Sequence, residues 1–385
     1  MTSATVELLL GCATAHRLDA ARARLHRRLA ESVDWEAVVE AAQRHGITPL
    51  VYQELRAAPD GLVPPAALAT LKGLFDANAR RCVLLTGWLR RVVDRLAAAG
   101  VQSIPYKGPV LAALAYGSLA GRQAGDLDIL IDPGTLAAAK EVLCAEGFRP
   151  MVPLQPWQER QLVRAGHPYA FIRDRERVVV ELHWSVSPRS LSTGLFATAL
   201  RERLVEVPVG GTTFRTLPTD GLLIALCVHG AKHVWERLCW MLDVAELIAR
   251  RPGIDWPGLL DRAAEAGHAR ELLLGLLLAR DLLGTDLPEV VARRLAGDPR
   301  LPALARVVLA QLELGVPGRL GVAGTARFHL TVRGTWSARL DYCRFAMVPT
   351  VADWSALGLP RWLAPLHVPL RIARLLRDGA GHTHH

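Results

Sequence analysis

Asp126-Leu127-Asp128-Ile129-Leu130-Ile131-Asp132 is the stretch on which the reading of this chain turns. Acidic and aliphatic residues alternate in it, which predicts a strand ended by Pro133-Gly134. Residues two apart in a strand share a face, so Asp126 and Asp128 project together, with Asp132 at the end of that face. Leu127, Ile129 and Ile131 are expected on the opposite, buried face. Two carboxylates held so close repel unless a cation neutralises them. Hard oxygen ligands suit Mg²⁺ (or Mn²⁺), which takes one or two carboxylates together with substrate phosphates. A third carboxylate on a neighbouring strand would complete a clamp for phosphoryl or nucleotidyl transfer.

Val178-Val179-Val180-Glu181-Leu182-His183-Trp184 supplies that carboxylate. Glu181 interrupts a strand otherwise built for burial, where a charge is costly unless paired or coordinated. His183, two residues on, shares its face. On the other side of the acidic stretch, Tyr106-Lys107-Gly108-Pro109 stands where a short strand passes into a helix. Backbone amides at a helix start, with a glycine allowing close approach, form an anion site. Lys107 adds a point charge suited to a triphosphate. Only Lys72, Lys107, Lys140 and Lys232 are lysine among the 46 basic residues, so a lysine at this junction stands out.

In its order of parts the chain resembles the polymerase-β-like nucleotidyltransferase superfamily. Those parts are a strand, Lys107-Gly108 and a helix, then Arg122 with Asp126-x-Asp128, then Glu181-x-His183-Trp184. More narrowly it is similar to an uncharacterised nucleotidyltransferase family with a lysine-glycine motif ahead of the acidic strand. His229-Gly230-Ala231-Lys232-His233, Arg237, Leu238, Asp243 and Pro349-Thr350-x-x-Asp353-Trp354 fit that resemblance, which covers roughly residues 100 to 360. It implies that Asp126, Asp128 and Glu181 are catalytic and hold divalent metal, and that Gly108 cradles nucleotide phosphates. Better-known superfamily members carry Gly-Ser where this chain has Lys107-Gly108, so their serine contact to phosphate is absent. The expected reaction is Mg²⁺-dependent transfer of an NMP, AMP from ATP, to an acceptor with release of pyrophosphate. The acceptor is left open among a small molecule, a peptide or protein, and tRNA. A non-catalytic nucleotide-binding module and a helical interaction protein are the competing readings.

Other residues carry two readings each. Arg122 either pairs with Asp126 or Asp128 or contacts substrate. His183 either packs beside Trp184 or meets substrate or metal. His229 and His233 share one helix face, a spacing that can bind Zn²⁺, although a zinc site is the less expected reading. With Lys232 they are expected instead to face the cleft and meet phosphate or acceptor. Trp235, Trp240 and Trp256 read as packing residues. The basic tail Arg371 to Arg377 reads as a solvated amphipathic helix rather than a membrane-surface one, and His382, His384 and His385 as incidental.

The 385 residues, 51% of them hydrophobic, exclude wholesale disorder and a small stapled scaffold. The net charge of +9 allows nucleic acid, phosphate ligands or an anionic membrane without choosing among them. Six scattered cysteines (Cys12, Cys82, Cys144, Cys227, Cys239, Cys343) show no metal-ligand spacing and predict reduced thiols in a cytoplasmic protein. No signal peptide is expected, because the first residues lack a basic region. The longest apolar run, Leu272 to Ala279, is far short of the roughly 20 residues a spanning helix needs. Helical patterns fill Val6 to Ala98, with a break expected near Gly73, and a strand is expected around Ser103. A hairpin is expected from Leu204 to Leu217 around Gly210-Gly211. Helices follow Pro218 with breaks near Pro252, Gly284 and Pro317, and Gly321 to Thr335 is ambiguous. The fold class is therefore α+β, with a small mixed sheet as its nucleotidyltransferase-like core. Three regions are expected: helical 1–98, α/β 99–217 and helical 218–385.

Overall fold

The computed structural model describes residues 4–185, 203–314, 320–348, 353–354 and 369–371. The expectations for Pro317, for Pro349-Thr350, for the tail beyond Arg371 and for His382, His384 and His385 lie outside the described residues.

Five helices open the chain: α1 (Ala4–Ala15), α2 (Asp19–Leu29), α3 (Trp35–Arg44), α4 (Thr48–Arg56) and α5 (Pro65–Ala98). Asp34 caps α3 by accepting from the Ala37 amide at 3.0 Å. The expected break at Gly73 does not occur, and α5 runs through it for 34 residues. One glycine costs a helix only about 1 kcal/mol. Burial of Leu71, Leu85, Leu89, Val92 and Leu96 along one side of α5 outweighs that.

The sheet contains β1 (Ser103–Pro105), β2 (Leu127–Ile131), β3 (Arg149–Pro150), β4 (Tyr169–Arg173) and β5 (Val178–His183). Its order is β1-β2-β5-β4-β3. β2 and β5 run parallel and the other pairs antiparallel. The short α6 (Gly108–Leu111) and a π-helical turn (Ala112–Tyr116) follow β1, and α7 (Leu136–Ala145) and α8 (Pro156–Ala165) lie in the crossover from β2. A separate hairpin, β6 (Val205–Val209) and β7 (Thr212–Thr216), turns at Gly210 and Gly211. Both glycines have positive φ, as a two-residue hairpin turn requires.

Two details of the acidic strand differ from the alternation in the sequence. Every residue of β2 is buried, Asp128 and Leu130 included, because the strand lies between β1 and β5 and its polar face is covered by other side chains. Asp126 falls just before β2, and Asp132 just after it. Asp132 turns away from the acidic face, accepting from the Gly134 amide at 2.8 Å to cap a 3₁₀ turn at Pro133–Thr135.

Eight helices complete the described chain: α9 (Thr219–Lys232), α10 (Leu238–Arg250), α11 (Trp256–Glu265), α12 (Ala269–Leu283), α13 (Glu289–Ala296), α14 (Leu301–Leu314), α15 (Gly321–Val332) and α16 (Trp336–Met347). The ambiguous Gly321 to Thr335 segment is thus mostly α15. Helices α9 and α10 pack on α12, and α10 also packs on the π-helical turn after β1. Buried residues from the N-terminal helices, the sheet and the C-terminal helices form one continuous core. Among the described residues, no helix is long and apolar enough to cross a membrane.

Candidate functional site

The parallel register of β2 and β5 sets Asp128 directly beside Glu181 and Leu130 beside His183. Side chains in register share a face, so Asp128, Glu181 and His183 converge. His183 Nε2 lies 3.2 Å from Asp128 Oδ1 and 3.3 Å from Glu181 Oε2, yet makes no well-aligned hydrogen bond to either. Ligand atoms of these three residues all fall within 4.8 Å of one another. A buried imidazole nitrogen left without a hydrogen bond between two carboxylate oxygens is the donor set of a divalent cation site. The residues present therefore fit a divalent metal.

Lys107 stands on the other side of Asp128, its Nζ donating to Oδ1 at 2.7 Å, with both side chains buried. Burial alone would raise the Asp128 carboxyl and lower the Lys107 ammonium. The pair overrides both tendencies: Asp128 is held low by Lys107 and His183, and Lys107 is held high by Asp128. Burial opposes protonation of His183 as well, but the two carboxylates raise its pKa. Asp126 forms no hydrogen bond with the described residues. Its pKa is pushed up to about 6, first by burial and then by Asp128 and Glu181. It lies near the cluster, while the set with convergent ligand atoms has His183 in the place expected for it.

Gly108 begins α6 with φ of +54°. A Cβ there would stand 2.9 Å from the Asp126 carbonyl oxygen, so only glycine lets the backbone pass so close to the acidic segment.

Helix α9 brings a second set of groups to the same place. His229 Nδ1 lies 3.4 Å from Lys107 Nζ. The His229 and His233 rings sit 4.9 Å apart and both pack on Trp240, at 5.2 and 5.1 Å. No carboxylate or thiol joins them into a metal-compatible group among the described residues. Burial, then the neighbouring lysines, lowers both imidazoles, His233 to about 4, and so keeps them neutral. Lys232 is exposed and has no hydrogen bond or ion pair with the described residues; partial desolvation followed by Lys107 lowers its pKa. Just beyond, Val234 and Trp235 both take positive φ. Such backbone costs of order 1–3 kcal/mol per residue and needs strong surroundings. The fully buried Trp235 indole anchors the turn.

Arg122 pairs with neither Asp126 nor Asp128. Its Nε donates to Asp243 Oδ1 at 2.8 Å and its Nη2 to Oδ2 at 2.9 Å, and Tyr116 Oη donates to the same Oδ1 at 2.9 Å. The resemblance had named Asp243 without a role. The signal was a carboxylate inside the largely apolar run Leu238 to Leu247, which also holds Glu246; Asp243 is fully buried.

A cavity beside this cluster is lined by Tyr106, Lys107, His183, His229 and Lys232. His268 and Glu271 of the α11–α12 junction and Arg333, Asp341, Tyr342 and Phe345 of the last helices line it as well. Sequence reasoning missed this second group entirely, because nothing local marks residues that converge only through helix packing.

Residues 31–284 of the chain match a family model described as "Uncharacterised nucleotidyltransferase". No curated protein matches it. The matched region holds the whole acidic cluster, the Lys107-Gly108 junction and α9.

Proposed function

The chain belongs to this uncharacterised nucleotidyltransferase family, and from that membership we propose that it transfers the nucleoside monophosphate of an NTP, AMP from ATP, to an acceptor hydroxyl, amine or phosphate, releasing pyrophosphate. The observation that carries this reading is the convergence of Asp128, Glu181 and His183 beside Lys107.

Asp128, Glu181 and His183 would hold the divalent cation, Mg²⁺ or Mn²⁺. When bound, that cation supplies charge neutralisation and polarisation of the phosphate oxygens. Gly108 and the first amides of α6 receive phosphate oxygens at the helix start. Lys107 and Lys232 present ammonium groups on the same cavity and counter the charge of the triphosphate. Neutral His229 and His233, stacked on Trp240, offer ring nitrogens that hydrogen-bond the acceptor or the nucleotide without adding charge. Asp126, with no hydrogen-bond partner and close to the cluster, accepts the acceptor's proton as the new P–O or P–N bond forms. Arg122 acts at one remove, by fixing the loop ahead of Asp126 through Asp243.

In this reading the middle region, 99–217, carries the acids, the last, 218–385, carries Lys232, and 1–98 is a helical region ahead of them. Six free cysteines, two of them exposed, suit a cytoplasmic setting. A second reading, a nucleotide-binding module without turnover, draws on the Lys107–Asp128 ion pair, which already neutralises one metal-facing carboxylate.

Purified protein incubated with Mg²⁺, cell extract and ATP labelled at either the α- or the γ-phosphate separates the two. Transfer of α-label alone, lost in Asp128→Ala, is the expected result. Tight nucleotide binding with no label transferred supports the module, and transfer of γ-label contradicts nucleotidyl chemistry.

A further inference from the structure

The cavity lining carries both signs of charge. Lys107 and Lys232 present ammonium groups suited to a triphosphate, and Arg333 and Asp341 also line it. Glu271 joins them, 3% exposed and with no hydrogen-bond partner for its Oε2. His268 beside it is 4% exposed, and neither of its ring nitrogens is hydrogen-bonded. The one contact between the two residues is His268 Nδ1 to Glu271 Oε1 at 3.6 Å. Glu271 lies in the first turn of α12, where the helix dipole favours a carboxylate. That leaves Oε2 without a donor all the same, and an unsatisfied buried carboxylate oxygen is costly.

Much of the remaining lining is apolar. Ala225, Val228 and Ala231, spaced at helical intervals on α9, contribute to it, as do Tyr342 and Phe345 of α16. The enclosed space, about 80 Å³, holds a few waters or one small polar group and no folded macromolecule.

We propose that the acceptor is a small, amine-bearing compound with an apolar face, seated in this cavity with its cationic nitrogen on Glu271 and its nucleophilic group toward Asp126. This rests on the nucleotidyl-transfer reading and names the acceptor class for the same site. The ammonium of the acceptor donates to Glu271 Oε2, a buried carboxylate oxygen of the lining left without a hydrogen bond. Transfer joins the acceptor oxygen or nitrogen to the α-phosphorus, breaks the bond to the β-phosphate oxygen, and passes the acceptor's proton to a carboxylate. Arg333, Tyr342 and Phe345 lie beyond residue 284, where the matched family region ends.

The test uses the full chain, Mg²⁺, α-labelled ATP and cell extract divided into macromolecules, small molecules retained on a cation exchanger, and small molecules that flow through. Label is expected in the retained small-molecule fraction. Glu271→Gln should cut that transfer at least tenfold while Mg²⁺-dependent binding of a fluorescent ATP analogue changes less than twofold. Tyr342→Ser, on an outer helix, should raise the acceptor KM with nucleotide binding unchanged, so a folding defect in the first variant does not blunt the test. Label confined to RNA, to protein or to the flow-through overturns the proposal and leaves the transferase reading standing. Undiminished transfer in Glu271→Gln overturns it as well. Label in no fraction overturns the transferase reading, and this one with it.

Discussion

Arg122 and Asp243 face each other through two parallel hydrogen bonds, of 2.8 and 2.9 Å, across the junction between the acidic-strand loop and helix α10. Asp243 is fully buried, and Tyr116 donates a third bond to it. Breaking a buried ion pair from one side leaves an uncompensated charge, at a cost of about 3–5 kcal/mol. Asp243→Ala should lose that much in urea unfolding. Arg122→Lys should fail to restore full stability, since an ammonium cannot match the planar two-pronged geometry. A loss below about 1 kcal/mol in Asp243→Ala would remove the pair from its structural role.

Lys107 neutralises Asp128 inside the protein, so removing it exposes a buried carboxylate to its acidic neighbours. Lys107→Met should destabilise the metal-free protein by about 3–5 kcal/mol. A divalent cation binding the folded state should then replace the missing charge. Added MnCl₂ is expected to raise the melting temperature of the variant more than that of the wild type. Equal rises in both proteins would mean that the cation does not bind beside Asp128.

Gly108 tests the proposed phosphate contact. In Gly108→Ala the new Cβ would meet the Asp126 carbonyl at 2.9 Å, on a backbone at φ of +54°. The loop must shift, with a stability loss of about 1–3 kcal/mol. ATP affinity, measured by equilibrium titration, should fall at least tenfold. Unchanged affinity would show that phosphate binds elsewhere.

His45 predicts an acid-sensitive fold. Its ring is 1% exposed, neither nitrogen has a hydrogen-bond partner, and burial followed by Arg44 lowers its pKa to about 4. The unfolded chain takes up the proton near pH 6.5, whereas the folded one resists it until about pH 4. Stability is therefore full above pH 6.5 and declines as the pH falls toward 4, by of order 3 kcal/mol for this group. His167 and His233 are lowered in the same way, chiefly by burial, and add to the slope. Denaturant midpoints between pH 7 and pH 4 should show the decline, and His45→Leu should flatten it by one proton's worth.

Local pattern carried the legible part of this molecule. The alternation in Asp126 to Asp132, the valine run before Glu181, and Gly210-Gly211 are short-range signals, and the strands and hairpin lie where they predict. Asp128, Glu181, His183, Lys107 and the His229–His233 face converge on one cluster and the cavity beside it. What sequence could not supply was partner choice. Arg122 is close in sequence to Asp126, but its carboxylate is Asp243, 121 residues away. Asp126 shares the strand's period with Asp128, yet it precedes the strand's first residue, and His183 takes its place among the converging ligand atoms. Glu271 sits in an ordinary leucine-rich helix, and only the packing of α12 against α9 brings it to the cavity.

The central claim is that Asp128, Glu181 and His183 hold the divalent cation of a nucleotidyl-transfer site. Mn²⁺ binding in the presence of ATP, followed by pulsed electron paramagnetic resonance, reports it without any need for turnover. Wild-type protein should retain the ion with a nitrogen coupling from one directly bound imidazole. That coupling should vanish in His183→Gln, and the binding itself in Asp128→Asn. An ion that shows no nitrogen coupling and binds Asp128→Asn as tightly as the wild type would contradict the account.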